Sequence, residues 1–283
     1  MESDKNLSTL LPYFDVLLED FAEGNTDVIE CFGLHVHWGY WENPGLADGS
    51  TADFAQAAEN LVRKMSDLAE TKNGMKILDC GCGFGGNISS LNQRFSNIEF
   101  VGLNIDPRQL DRAKSQVKAT HNNQIEFVEG DACQLPFSDA SFDLVFAVEC
   151  IFHFPSREKF FQEARRVLKP GGKLVLSDFV PREVVLSTWS FTSPFSQPLV
   201  THAYGQVDAT YSLSKYRDLA KSTGFQIGNE IDITQNTIPT YQVIRKLQFA
   251  GDNKKAALGN WLIEIISRLT LIRYLILSYV KPF

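Results

Sequence analysis

Three groups of residues in this 283-residue chain combine the side chains and the backbone freedom that chemistry needs. The first is Met75-Lys76-Ile77-Leu78-Asp79-Cys80-Gly81-Cys82-Gly83-Phe84-Gly85-Gly86, an apolar run that ends on a carboxylate and enters a glycine-rich turn. Glycine lets the chain turn sharply and leaves main-chain N–H groups open to a ligand, so a nucleotide-like cofactor is expected here. Gly81-x-Gly83-x-x-Gly86, taken alone, fits the dinucleotide fingerprint. Asp79, two residues before Gly81, departs from it, because dinucleotide enzymes usually carry an aliphatic residue there. A carboxylate at that point holds a cationic amino group or orients the loop. The second group is Asp131 with Ala132, in Val128-Glu129-Gly130-Asp131-Ala132, where a carboxylate can accept a hydrogen bond from an adenine amino group. The third is His153, in Val148-Glu149-Cys150-Ile151-Phe152-His153, with Asp178, in Leu176-Ser177-Asp178-Phe179. Histidine titrates near neutrality and suits the removal of a hydroxyl proton, and a neighbouring aspartate would orient it.

The elements that must position these groups follow from the hydropathy pattern. Strand-like runs occur at 75–80, 98–104, 124–129, 142–148 and 173–180, with helical patterns at 86–95, 107–120 and 156–169. That alternation predicts an α/β fold, a doubly wound, mostly parallel sheet with helices on both faces. His153 would then lie just beyond the fourth strand and Asp178 at the end of the fifth, on the carboxyl edge where open sheets bind ligands. Before the sheet come helical spacing over 7–31, broken at Gly24-Asn25, an aromatic segment around His35, His37, Trp38 and Tyr40, and a helix over 52–68 capped by Thr51 or Asp53. After it lies an irregular aromatic stretch, 182–211, placed to close over a ligand and containing His202 as a candidate second base. A helix at 214–223, a strand near 225–233, helices near 241–249 and 254–268 and a last strand near 272–281 complete the chain.

Composition narrows the function. A net charge of −7 argues against a nucleic-acid partner. Leu269–Val280 is too short to span a bilayer and contains Arg273, and no signal peptide is visible, so no membrane partner is expected. Five cysteines without framework spacing point to a reducing, cytoplasmic setting. Cys80 and Cys82 read as small residues filling space, so no metal site is expected. His35 and His121 read as incidental, and oligomeric state is not encoded in any motif.

The turn at 79–86, Asp131 after the third strand, Ser141-Phe142-Asp143-Leu144-Val145-Phe146 and Leu168-Lys169-Pro170-Gly171-Gly172 together resemble the class I S-adenosylmethionine-dependent methyltransferases. The resemblance is specific over about 75–180 and looser to 283. It implies a Rossmann-like sheet of seven strands with an antiparallel last strand, and a single domain, 1–283. Within it are expected an N-terminal helical lid (1–70), a cofactor-binding core (71–181), and acceptor-cap segments with the C-terminal strands (182–283). The segment Val101-Gly102-Leu103-Asn104-Ile105-Asp106 places Asn104 where most members carry an acidic ribose partner. This variant is similar to macrolide and sugar O-methyltransferases and to tocopherol and sterol C-methyltransferases. The resemblance implies that Asp79, Gly81, Gly83, Asn104, Ile105, Gln109, Asp131 and Ala132 contact S-adenosylmethionine. Asp106 is an alternative ribose partner. Glu149 would face the methionine end or cap a turn, and Tyr13, His37 and Tyr40 would form an aromatic lid or merely dock the N-terminal helices. His153 as base with Asp178 favours a hydroxyl acceptor on a small natural product. A carbon acceptor is the alternative, and an NAD enzyme a distant one.

Overall fold

The computed structural model describes residues 11–187, 201, 205–250 and 254–283, the side chains of 248–250 and 254–260 excepted. The candidate His202 and most of the aromatic residues expected over 182–211 lie outside these residues. Helices α1 (Pro12–Ala22) and α2 (Thr26–Phe32) flank the Gly24-Asn25 break, where Asn25 caps α2 by accepting the Val28 N–H at 3.3 Å. Helix α3 (Thr51–Ala69) is capped by Ser50, whose Oγ accepts the Asp53 N–H at 3.1 Å. The cap thus falls one residue before Thr51. Asp53 instead accepts the Trp41 indole N–H at 2.9 Å.

The sheet begins with β1 (Lys76–Cys80), α4 (Gly86–Arg94), β2 (Glu99–Asn104), α5 (Pro107–Gln116) and β3 (Gln124–Glu129). It continues through β4 (Phe142–Val148), α6 (Arg157–Val167), β5 (Leu168–Pro181), α7 (Glu183–Ser187), α8 (Leu213–Thr223) and β6 (Gln226–Asp232). Helices α9 (Thr234–Thr237), α10 (Thr240–Ala250) and α11 (Lys254–Arg268) precede β7 (Ile272–Val280). The strand order is β3-β2-β1-β4-β5-β7-β6. Strands β1 to β5 pair in parallel, and β7 runs antiparallel to both β5 and β6. This is the expected doubly wound, seven-stranded sheet, with its topological switch point where β1 lies between β2 and β4. Helix α5 is shorter than the pattern to 120 suggested, because Val117 turns extended.

Neighbouring residues in the strands serve opposite faces. Leu78, Val145 and Leu176 pack with Phe160, Phe161 and Tyr216 beneath α6 and α8. Ile77, Leu144 and Val175 pack with Met65, Phe100 and Tyr274 on the other side. Buried strand residues on both faces explain the near-continuous apolar runs of the sequence, and each such side chain contributes about 1.5–3 kcal/mol. Between the pairs Phe142–Leu168 and Leu144–Lys173 the segment Lys169-Pro170-Gly171-Gly172 bulges out of β5. Lys281 fastens it, accepting from Gly171 N–H at 2.8 Å and donating to Gly172 O at 2.9 Å.

Candidate active site

A cavity of about 970 Å³ opens at the carboxyl edge of β1, β2 and β4. Its floor is the glycine turn. Gly81 has φ +70°, and a Cβ there would stand 2.7 Å from Cys150 Cβ. Gly83 has φ +54°, and a Cβ there would meet only Val36, at 4.0 Å, so the open side of the turn is the cavity itself. Asp79 lies at the bottom, 2% exposed, with Oδ2 lacking any hydrogen-bond partner. Burial pushes its carboxyl up to about 7, against the pull of the Asn87 side chain. An orphaned, buried carboxylate beside bare backbone can pair with a cation brought in by a ligand.

Along one wall, Asn104 at the end of β2 donates through Nδ2 to Gln109 Oε1 at 2.9 Å and accepts the Asp106 N–H at 3.1 Å. These bonds fix the Asn104 amide orientation, and both residues line the cavity with Ile105, 48% exposed there. Asp106 does not line it. Its buried carboxylate caps α5 through the Arg108 N–H at 2.9 Å and pairs with the Arg108 guanidinium at 2.7 Å, which holds it below the usual carboxylate range despite burial. Asp106 is therefore not a free ribose partner. Asp131 and Ala132 line the same wall, one Asp131 oxygen accepting the Cys133 N–H at 2.8 Å.

Glu149 follows β4 in the left-handed region, φ +49°, a conformation of sparse population that recurs at functional positions. It lines the cavity and accepts the Trp38 N–H at 3.0 Å, tying the aromatic segment to the sheet. Burial pushes it up to about 8, against hydrogen bonds from Tyr274 and Trp38. His37 also lines the cavity. Its Nδ1–H donates to Trp38 O at 3.0 Å, and its Nε2 meets His35 Nδ1 at 3.2 Å. His35 continues to Glu59 at 3.3 Å. Burial, then the neighbouring His35 ring, push His37 down to about 3. Glu59, although burial opposes it, is held down to about 2 by bonds from His35, Arg63 and Ser90. His35 is thus no incidental residue: it lines the cavity and links the segment to α3. Tyr40, expected in the lid, lies away from the cavity. Its N–H donates to Ala57 O at 2.8 Å and its ring packs against the core under Lys64.

His153 closes the short 3-10 turn Ile151–His153 after β4 and lines the cavity. Its Nδ1–H donates to Gln206 O at 3.1 Å, and its Nε2 accepts from the Tyr13 hydroxyl at 3.3 Å. Burial pushes it down to about 4, with the Gln206 carbonyl opposing and the Arg157 charge adding to the fall. The ring is therefore neutral at physiological pH, its lone pair on Nε2. Asp178 is not its partner. Along β5, Leu176, Asp178 and Val180 face α6 and α8 while Val175 and Phe179 face the other layer. Asp178, fully buried, accepts from Arg157 Nη2 at 3.0 Å and from the Tyr216 hydroxyl, and does not line the cavity. Arg157, Tyr216 and Asp208, which complete this cluster, carried no motif. Strand parity alone could have turned Asp178 toward them. Among the described residues no group of three or more His, Cys, Asp or Glu side chains is arranged to hold a metal, and no helix is long and apolar enough to cross a membrane.

Known proteins place this geometry in a family. The model of a methyltransferase domain matches residues 78–176. The chain is 30% identical over 215 residues to the 27-O-demethylrifamycin SV methyltransferase of Amycolatopsis mediterranei, covering 75% of this chain and 74% of that one. It is 31% identical over 199 residues to the sterol 24-C-methyltransferase of Candida albicans, covering 66% of this chain and 50% of that one. The mycolic acid cyclopropane synthase CmaA1, solved with S-adenosylhomocysteine, shares the fold at a TM-score of 0.74 and 15% identity over 87% of this chain and 89% of that one. These likenesses set aside the dinucleotide reading of the glycine turn, and the cofactor is S-adenosylmethionine. The chain belongs to the class I S-adenosylmethionine-dependent methyltransferases.

Proposed function

We propose that this enzyme methylates a hydroxyl group of a small, partly apolar natural product, with His153 as general base. The observation that carries the reading is the His153 hydrogen-bond pattern: Nδ1–H is held by Gln206 O, so the basic Nε2 faces the cavity. The Tyr13 hydroxyl, 3.3 Å from Nε2, stands where an acceptor hydroxyl would deliver its proton. S-adenosylmethionine supplies an electrophilic methyl on a sulfonium. The acceptor oxygen would attack that methyl in line while His153 Nε2 takes its proton, so the part of the chain is to align the acceptor and to carry that proton as an imidazolium. Asp79 is assigned to the cofactor ammonium, Gly81 and Gly83 to close backbone approach, and Asn104, oriented by Gln109, to the ribose. Ile105, Asp131 and Ala132 are assigned to the adenine. Helices α1 and α2 with residues 35–41 act as the lid, in which Tyr13 and His37 face the cofactor and the Trp38–Glu149 bond latches the segment. Five unpaired cysteines support a cytoplasmic setting.

Carbon methylation is the second reading. The acceptor side of the cavity carries Val148, Phe152 and Phe154, and the Candida albicans relative methylates carbon by its name. His153→Ala separates the two in assays with labelled S-adenosylmethionine and hydroxylated acceptors. A loss of about 10²–10⁴ in kcat supports the oxygen reading, and full activity removes it.

A further inference from the structure

Asp178 and His153 do not touch, but bonds join them through Arg157. The Arg157 side chain is 1% exposed and donates from all three of its nitrogens. Nε donates to the Tyr216 hydroxyl at 3.0 Å, Nη2 to Asp178 Oδ2 and to Asp208 O, both at 3.0 Å, and Nη1 to Asp208 Oδ2 at 2.7 Å. The guanidinium also lies 4.6 Å from the Tyr211 ring centroid. Two bonds then fasten the 206–208 backbone to the 3-10 turn: Asp208 N–H to Phe152 O at 2.9 Å, and His153 Nδ1–H to Gln206 O at 3.1 Å.

We propose that Arg157, seated on Asp178 and Tyr216, is the positioning residue for the His153 imidazole. It holds the 206–208 backbone through Asp208, and the Gln206 carbonyl so placed selects the tautomer with hydrogen on Nδ1 and the lone pair on Nε2. This rests on the reading of His153 as the base. The chemistry requires such a device, because an imidazole bearing its hydrogen on Nε2 cannot take a proton there. Residues 205–210 form no helix or strand, so this backbone depends on side-chain anchors. A rigid fork with two carboxylates and a carbonyl supplies an anchor that a lysine point charge does not. Asp178 therefore acts three bonds from the ring, by keeping Arg157 seated.

Nitrogen-15 NMR of histidine-labelled full-length enzyme tests the proposal, with the His153 signal assigned by its loss in His153→Gln. The wild-type ring is expected as a single tautomer protonated on Nδ1. Asp208→Ala and Arg157→Lys are expected to give a mixture and to lower kcat about tenfold or more, with KM for S-adenosylmethionine within twofold; a fully mis-set tautomer costs up to about 10⁴. The Asp208 side chain is 42% exposed, so Asp208→Ala decides the matter if Arg157→Lys fails to fold. An unchanged tautomer in Asp208→Ala overturns the proposal. A shifted tautomer with unchanged kcat keeps the positioning role and removes the base assignment instead.

Discussion

Replacing Asp79 with asparagine should stabilise the ligand-free protein at pH 8 and weaken its hold on the cofactor. The carboxyl is buried, one oxygen has no partner, and burial raises it from 3.8 to about 7. Between those pH values the folded chain keeps a proton on Asp79 that the unfolded chain has released. Stability from this group therefore falls as pH rises from about 4 to about 7, and stays lowest above that. The span corresponds to about 4 kcal/mol. An asparagine amide left incompletely paired offsets about 1–3 kcal/mol of the gain, leaving a net of about 1–3 kcal/mol at pH 8. Binding should change in the opposite sense, because the cofactor ammonium proposed to pair with Asp79 would lose its partner. A loss of about 2–4 kcal/mol, or about 30-fold to 1000-fold in Kd for S-adenosylhomocysteine, is expected at pH 7.5. Thermal denaturation of both proteins from pH 4 to 8 gives the first quantity. The difference between the curves isolates Asp79 from His37 and His153, whose depressed values act oppositely, adding stability as pH rises toward 6.5. Calorimetry gives the second. Identical pH slopes, or an affinity unchanged in Asp79→Asn, would refute the reasoning.

Three further outcomes are expected. The acid limb of kcat against pH should fall near 4, because protonation below that removes the Nε2 lone pair; a limb at 6.5 would contradict the burial of His153. Gly81→Ala should cost about 2–4 kcal/mol in chemical denaturation, since its φ of +70° disfavours any Cβ and that Cβ would stand 2.7 Å from Cys150. A variant as stable as wild type would show that the turn relaxes freely. Tyr40→Phe should leave the Kd for S-adenosylhomocysteine within twofold, and a tenfold loss would return Tyr40 to the cavity.

The sheet was legible because strand and helix periodicity are properties of the local chain, and βαβ connections leave few topologies for seven such strands. The glycine turn was legible for a similar reason, since positive φ restricts residue type. Residues 79, 104, 131, 149 and 153 could be placed around one cavity because each ends or follows a strand. What escaped was the direction of individual side chains. Asp178 lies near the carboxyl end of β5, at the right edge, yet the alternation that sends Leu176 and Val180 under α6 sends Asp178 there too. Tyr40 shares a short segment with His37 but turns onto α3. The orienting group for His153 is a backbone carbonyl at 206, and a carbonyl has no sequence signature.

The direction of β7 separates the two ends of this machinery. Its first residues stand beside the carboxyl edge, where Tyr274 pairs across from Phe179, and its last, Val280, pairs with Lys173 at the far rim. Gly171 and Gly172 clasp Lys281, and Phe283 lies over Gly171. A fluorophore, affinity handle or partner domain joined after Phe283 would therefore depart from the side of the protein remote from the cavity mouth. Tethering the enzyme to a solid support through that residue should leave entry of the acceptor unobstructed.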